Sequence, residues 1–206
     1  MFTATHLLRR RRFLPLFVTQ LFNAFNDNLY KTTMVLFVVY AVYNDETTES
    51  SFSSLASALF ILPFFILSAL AGQLADMRDK AKIIRTVKMC EIGLMMIGAA
   101  GLYMAWRGIM VHTVAIPLLL LALFLTGVQS TFLGPIKYAI LPQHLKKDEV
   151  LAGTGLVEAG TYIAILMGTI LAGPLAVDYT GWAAMGIIVV SCIGYILVYG
   201  IVFQYN

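Results

Sequence analysis

Charge is what this chain has least of. Charged residues fill 12% of its 206 positions against 60% hydrophobic ones, and the mean hydropathy is +0.84. A soluble domain carries about a quarter of its residues as Asp, Glu, Lys and Arg, so a soluble globular fold is excluded. Cysteine is almost missing. Cys90 and Cys192 both fall inside apolar runs, where they read as small packing residues rather than a disulfide. Pro- or Ser-rich linkers, low-complexity tracts and direct repeats are also lacking, which leaves no room for a separate soluble domain. His6, His112 and His144 lie at the ends of apolar runs or in connections, with no nucleophile–base pair and no metal-ligand spacing. The segment reads as non-enzymatic, with no catalytic residue, no metal, no cofactor and no nucleic-acid partner.

What fills the chain instead is long apolar stretches. Six can be marked, at 13–43, 52–75, 83–106, 114–141, 151–177 and 182–203, each near or above the roughly 20 residues that cross a bilayer core. The expected fold is an all-α integral membrane bundle of six transmembrane helices occupying residues 1–206. A cleaved signal peptide does not fit the first stretch, which is too long, too polar in its middle and followed by no small-residue cleavage site. Of 14 Lys and Arg, eleven fall on one side: Arg9 to Arg12, the Arg78–Lys88 group, and Lys146 with Lys147. Arg107 alone falls on the other, and Lys31 and Lys137 are within spans. The positive-inside rule then places both ends of the chain in the cytoplasm, with the arginines drawn to anionic membrane lipids.

The intramembrane charges are the anomaly. Asp27 and Lys31 sit mid-span, within Asn23-Ala-Phe-Asn-Asp-Asn-Leu-Tyr-Lys31. Either residue disfavours insertion by roughly 2.5–3.5 kcal/mol, so a substrate or ion pathway is the default reading. At four residues apart the two can instead form a self-neutralising structural pair, with Lys31 snorkelling outward. Asn23, Asn26 and Asn28 make a polar patch larger than such a pair requires. Lys137 follows Gly134-Pro135, which are expected to loosen its helix as at a transporter binding region, although a lone lysine near a span end also serves as an anchor. Glu158 lies roughly 12 Å into the fifth span, with Lys137 as the nearest plausible partner. Glu91, with Lys88 one turn before it, reads as structural and close to the cytoplasmic end.

Weak symmetry runs through these stripes. Gln20, Asp27 and Lys31 on the first span, and Thr126, Ser130 and Lys137 on the fourth, each lie within about 40° on a helical face. That pattern suggests a three-plus-three repeat around one cavity. The glycines of the third and fifth spans read mainly as close-packing positions, and Gly173-Pro174 as a candidate hinge.

The connection after the second span reads Gly72-Gln-Leu-Ala-Asp76-Met-Arg78-Asp79-Lys80. It resembles the signature loop of the major facilitator superfamily. The resemblance implies that Gly72, Asp76 and Arg78 form a gating loop, with Asp76 latching the two halves of a transporter on the cytoplasmic side. An anion at a helix N-terminus and a contact that rocking can break are the physical basis of such a latch. Phe25-Asn-Asp27-Asn28, Gly134-Pro-Ile-Lys137-Tyr138 and Leu156-Val-Glu158-Ala-Gly-Thr161 resemble the lysophospholipid transporters of Gram-negative inner membranes.

That resemblance implies the N-terminal half of a twelve-helix facilitator moving lysophospholipids from the outer to the inner leaflet for re-acylation. It places Asp27, Lys137 and Glu158 on the polar part of the substrate cavity, with Asn23 and Lys31 beside them. It also implies a second six-helix half as partner. The Arg9–Phe17 lead-in resembles the versions fused to an acyltransferase and an acyl-acyl-carrier-protein synthetase, domains that would lie beyond Asn206. The arginine common on the fourth span of proton-coupled facilitators is missing here. A facilitator for another lipophilic solute or drug, and a membrane anchor for fused acyltransferase domains, are the alternative readings.

Overall fold

A computed structural model of the chain describes residues 4–9, 13–43 and 46–202. Arg10 to Arg12 of the basic cluster, Asn44 and Asp45 of the acidic connection, and residues 203–206 lie outside the described residues. A short helix, α1 (Ala4–Leu8), precedes α2 (Leu14–Phe37), which continues as a π-helical turn over Val38–Tyr43. Then come α3 (Glu46–Met77), α4 (Lys80–Trp106), a second π-helical turn (Val111–Ala115) leading into α5 (Ile116–Ala139), the single turn α6 (Leu141–His144), α7 (Val150–Val177) and α8 (Thr180–Val202). Among the described residues, five helices are long and apolar enough to cross a membrane: α3, α4, α5 with its flanking turns, α7 and α8. The sixth long helix, α2, spans 24 residues, but its amides, Asp27 and Lys31 lower its hydropathy.

The helix ends have local causes. Asp79 is extended (φ −62°, ψ 116°) and its carboxylate accepts from the Ala81 N–H at 2.9 Å, capping α4. The α4–α5 turn uses left-handed backbone at Gly108 (φ 69°) and Met110 (φ 44°), which only the glycine adopts without strain. Pro63, Pro135 and Pro174 lie inside α3, α5 and α7. The helices run through them, so Gly134-Pro135 does not interrupt α5 and Gly173-Pro174 does not break α7.

The packing carries the repeat that the sequence only suggested. The main seams are α2–α7, α2–α8, α3–α5, α4–α5 and α4–α8. Exchanging α2 with α5, α3 with α7 and α4 with α8 maps this set onto itself: α2–α7 becomes α5–α3, α2–α8 becomes α5–α4, and α4–α8 is its own image. A three-plus-three internal repeat produces this pattern. Two related seams each depend on a glycine. A Cβ at Gly127 would lie 2.4 Å from the Phe60 carbonyl oxygen across α3–α5, and one at Gly168 would lie 2.6 Å from that of Phe25 across α2–α7. Here backbones touch, as small residues allow in helix pairs within lipid.

Two apolar cores fill the interior. One contains Tyr30, Met34, Leu102, Leu119 and Leu123; the other contains Phe13, Leu16, Leu133, Ile136 and Val157. On α2, α4 and α5 the buried polar residues, Thr33 apart, fall between the two cores. A polar layer at mid-height is therefore bounded by apolar packing above and below. The outer faces of α3 and α7 are apolar and exposed, with Phe65 at 81% and Ile170 at 66%.

Candidate functional site

The polar layer gathers side chains from α2, α4, α5 and α8. Lys88, 1% exposed, donates from Nζ to Glu91 Oε2 at 2.5 Å and to Asn23 Oδ1 at 2.6 Å. Asn23 in turn donates from Nδ2 to Asp27 Oδ2 at 3.1 Å, and the Ser130 hydroxyl donates to the same oxygen at 2.9 Å. Glu91 accepts from Gln129 Nε2 at 2.9 Å and from Asn26 Nδ2 at 3.5 Å; Asn26 Nδ2 also reaches Ser191 Oγ at 2.8 Å. One lysine thus serves two buried carboxylates, one directly and one through an amide. Groups of this kind are tolerated away from water only when paired and hydrogen-bonded.

The charge count within this layer is uneven. With both carboxylates ionised, Asp27, Lys88 and Glu91 sum to −1. Asp27 Oδ1, Asn26 Oδ1 and Gln129 Oε1 are buried without a hydrogen-bond partner among the described residues. The cluster therefore has spare acceptor capacity, suited to a cationic or strongly donating group. Among the described residues, no group of three or more His, Cys, Asp or Glu could hold a metal ion.

A second polar centre lies further along α5. Lys137 Nζ is 3.1 Å from Glu158 Oε1 and 3.2 Å from the Thr161 hydroxyl, while the Tyr138 hydroxyl donates to Glu158. The pair is only partly shielded, with Lys137 at 14% and Glu158 at 35% exposure. Ser130 belongs to the first centre and Lys137 to the second. Seven residues of helix separate them, roughly 10 Å of rise. The lysine holds its glutamate across the α5–α7 gap, and the aromatic ring beside it (Lys137 Nζ to the Tyr138 centroid, 4.9 Å) screens one side.

Several expectations shift with this geometry. The expected Lys137–Glu158 pair forms, and Asn23 and Asp27 meet. Asp27 and Lys31 form no ion pair: the carboxylate turns to Asn23 and Ser130, and the ammonium lies over the Phe60 ring at 5.1 Å from its centroid. Lys31 therefore is not Asp27's direct partner. Lys88 does not belong with the surface charges. It points into the bundle and so drops out of the group of eleven that the sequence reading sets on one side. Glu91 pairs with Lys88, but it sits inside the polar layer rather than near the surface. Asn26, Gln129 and Ser191 belong to the layer as well. The only signal for the Lys88–Glu91 pair was its i, i+3 spacing about 12 Å into a helix.

The connection after α3 is short. Asp76 and Arg78 are exposed at the end of α3, and a Cβ at Gly72 would meet nothing within 4 Å. Asp79, not Asp76, caps α4.

A family model described as Major Facilitator Superfamily matches residues 16–204. Among curated proteins, the chain is 26% identical to the lysophospholipid transporter LplT of Cronobacter sakazakii over 184 residues, covering 89% of the chain and 41% of the relative. It is also 26% identical to the lysophospholipid transporter LplT of Salmonella heidelberg over 182 residues, covering 88% of the chain and 40% of the relative. The chain thus spans about two fifths of the length of these relatives. No solved structure shows significant similarity to it.

Proposed function

The chain belongs to the major facilitator superfamily, and from that premise we propose that it is the first six-helix half of a lysophospholipid transporter. The whole protein would work by alternating access, with a second six-helix bundle closing against the exposed apolar faces of α3 and α7. Asp76 and Arg78 would form the latch between the halves. The curated relatives named as lysophospholipid transporters support this substrate class.

One observation carries the substrate assignment: the Lys137–Glu158 pair is half-open. A fully buried pair could exchange partners only at great cost, whereas one exposed on its glutamate side can be entered by a competing anion. A lysophospholipid phosphate replaces Glu158 on Lys137, and the acyl chain lies along the apolar wall. Its ammonium head is then offered to Glu158 or, after rearrangement, to the acceptor-rich layer around Asp27. At 6% exposure Asp27 is reached only once the bundle moves. Transfer runs from the outer to the inner leaflet of the inner membrane and feeds re-acylation, with both ends of this segment in the cytoplasm.

The test is transport of labelled lysophosphatidylethanolamine by the full-length protein in vesicles. Lys137→Ala, Glu158→Gln and Asp27→Asn should each reduce the rate at equal expression. Wild-type rates in all three would remove the assignment. Competition by an unlabelled lipophilic drug as effective as that by lysophospholipid would favour the broader facilitator reading.

A further inference from the structure

A cavity of about 600 Å³ opens at the α4–α8 seam, away from both polar centres. It lies at the end of the bundle that is poor in Lys and Arg. The size is within the roughly 300–1,000 Å³ of ligand-binding clefts. Its floor is made of small residues, with Ala99 and Ala184 nearly buried. Aromatic rings form the mouth: Tyr103, Trp106, Tyr179 and Trp182, all about half exposed or more. The rim is packed in place. Trp106 lies against Gly181, where a Cβ would be 3.3 Å from the indole, and its ring is 5.9 Å from that of Tyr103.

The long axis follows the helices. Met96, at the inner end, is ten residues before Trp106 on α4, roughly 15 Å deeper along the seam. An apolar slot of that length, opening at a ring of Trp and Tyr, has the form of an acyl-chain site whose mouth lies at headgroup level. Two charges mark the mouth. Asp178 lines it, and the Arg107 guanidinium lies over the ring of Trp106, a lining residue, at 5.9 Å from its centroid. Neither is in a salt bridge with any described residue. A phosphate suits the planar guanidinium, and an ammonium suits the carboxylate. A headgroup with a net negative charge would satisfy Arg107 and leave Asp178 opposed.

We propose that this groove holds a resident phospholipid with a zwitterionic, ammonium-bearing headgroup, its acyl chain along the α4–α8 seam, its phosphate on Arg107 and its ammonium on Asp178. The site is independent of the transport reading, since it requires occupancy and not movement of the lipid.

The two tryptophans of the 206-residue chain, Trp106 and Trp182, both line the groove and so report on it directly. In the full-length protein, tryptophans beyond residue 206 are replaced by phenylalanine, and the protein is reconstituted with brominated-chain phosphatidylethanolamine or brominated-chain phosphatidylglycerol at equal fractions. Quenching should report a preference for phosphatidylethanolamine of about fivefold in apparent affinity, the scale of two solvent-exposed ion pairs. Arg107→Gln with Asp178→Asn should abolish that preference, and Ala100→Phe should reduce quenching by either lipid. Equal quenching of the wild type by the two headgroups, the signature of annular lipid only, overturns the proposal without recourse to a variant. So does a preference that survives the double substitution. Loss of transport with the lipid preference intact, or the reverse, separates this site from the substrate reading.

Discussion

Lys88 and Asn23, 65 residues apart in sequence, meet in the bundle interior with the lysine ammonium donating to the amide oxygen at 2.6 Å. Through that contact the α4 lysine is linked to Asp27 on α2, which it does not touch. Asn23 relays: it accepts from the cation and donates to the carboxylate. The anomaly of an acid in mid-membrane is thereby answered by a cation on another helix rather than by its neighbour Lys31.

Removing Lys88 should be among the most damaging changes in the chain. Lys88→Met leaves Glu91 and Asp27 with only amide and hydroxyl donors, and breaking a buried pair costs about 3–5 kcal/mol. A large fall in the apparent melting temperature of the detergent-solubilised full-length protein is expected. Lys88→Met with Glu91→Gln should recover most of it, since the new amide still meets Asn26 and Gln129. A single variant as stable as the wild type would refute the pairing.

Lys31→Met is expected to behave differently. The ammonium contacts a ring face at the helix surface, a contact worth about 0.5–1 kcal/mol where exposed. Stability should change by no more than that. Measured side by side, equal losses for Lys31→Met and Lys88→Met would contradict the arrangement described.

The glycine seams give a steric prediction. Gly127→Ala and Gly168→Ala each push a methyl against backbone, and overpacking of this kind costs roughly 1–3 kcal/mol. Gly93→Ala and Gly186→Ala place theirs where nothing lies within 4 Å. They should be neutral or stabilising, by up to about 1 kcal/mol of helix propensity. Thermal unfolding of the four variants gives the ranking, and a reversed order would be decisive against the seams.

Two neighbouring acids should separate stability from gating. Asp79→Ala removes a cap and should lower stability by about 1 kcal/mol. Asp76→Asn, at an exposed position, should leave stability within about 0.5 kcal/mol yet alter cysteine labelling from the cytoplasmic side of the full-length protein. Unchanged labelling in Asp76→Asn would dismiss the latch.

Much of this architecture was legible in sequence because bilayer crossing is a local property, read from length and hydropathy along one segment. The Lys137–Glu158 pair was legible for a related reason: two isolated charges on adjacent helices have few other places to go. The polar layer was not. Lys88 lies near a cluster of surface lysines and arginines, and spacing alone does not reveal that its side chain turns inward. Gln129 and Ser191 are common residues whose part in the layer depends on which helices touch. Those seams join segments far apart in the chain, and hydropathy says nothing about who packs on whom. Asp27 and Lys31 are the converse case, since an i, i+4 spacing permits a pair without requiring one.

The order in which the seams close has a consequence for biogenesis. Asn26 finds its partner Ser191 only 165 residues later, an interval of roughly 10–30 s at ordinary rates of synthesis. Throughout that time α2 is already made, while Ser130 and Gln129 arrive late and Ser191 last. The nascent chain must keep its most polar helix sheltered until the final span emerges. A ribosome-stalled intermediate ending near Trp106 should therefore hold α2 loosely, in contact with the insertion machinery rather than committed to lipid.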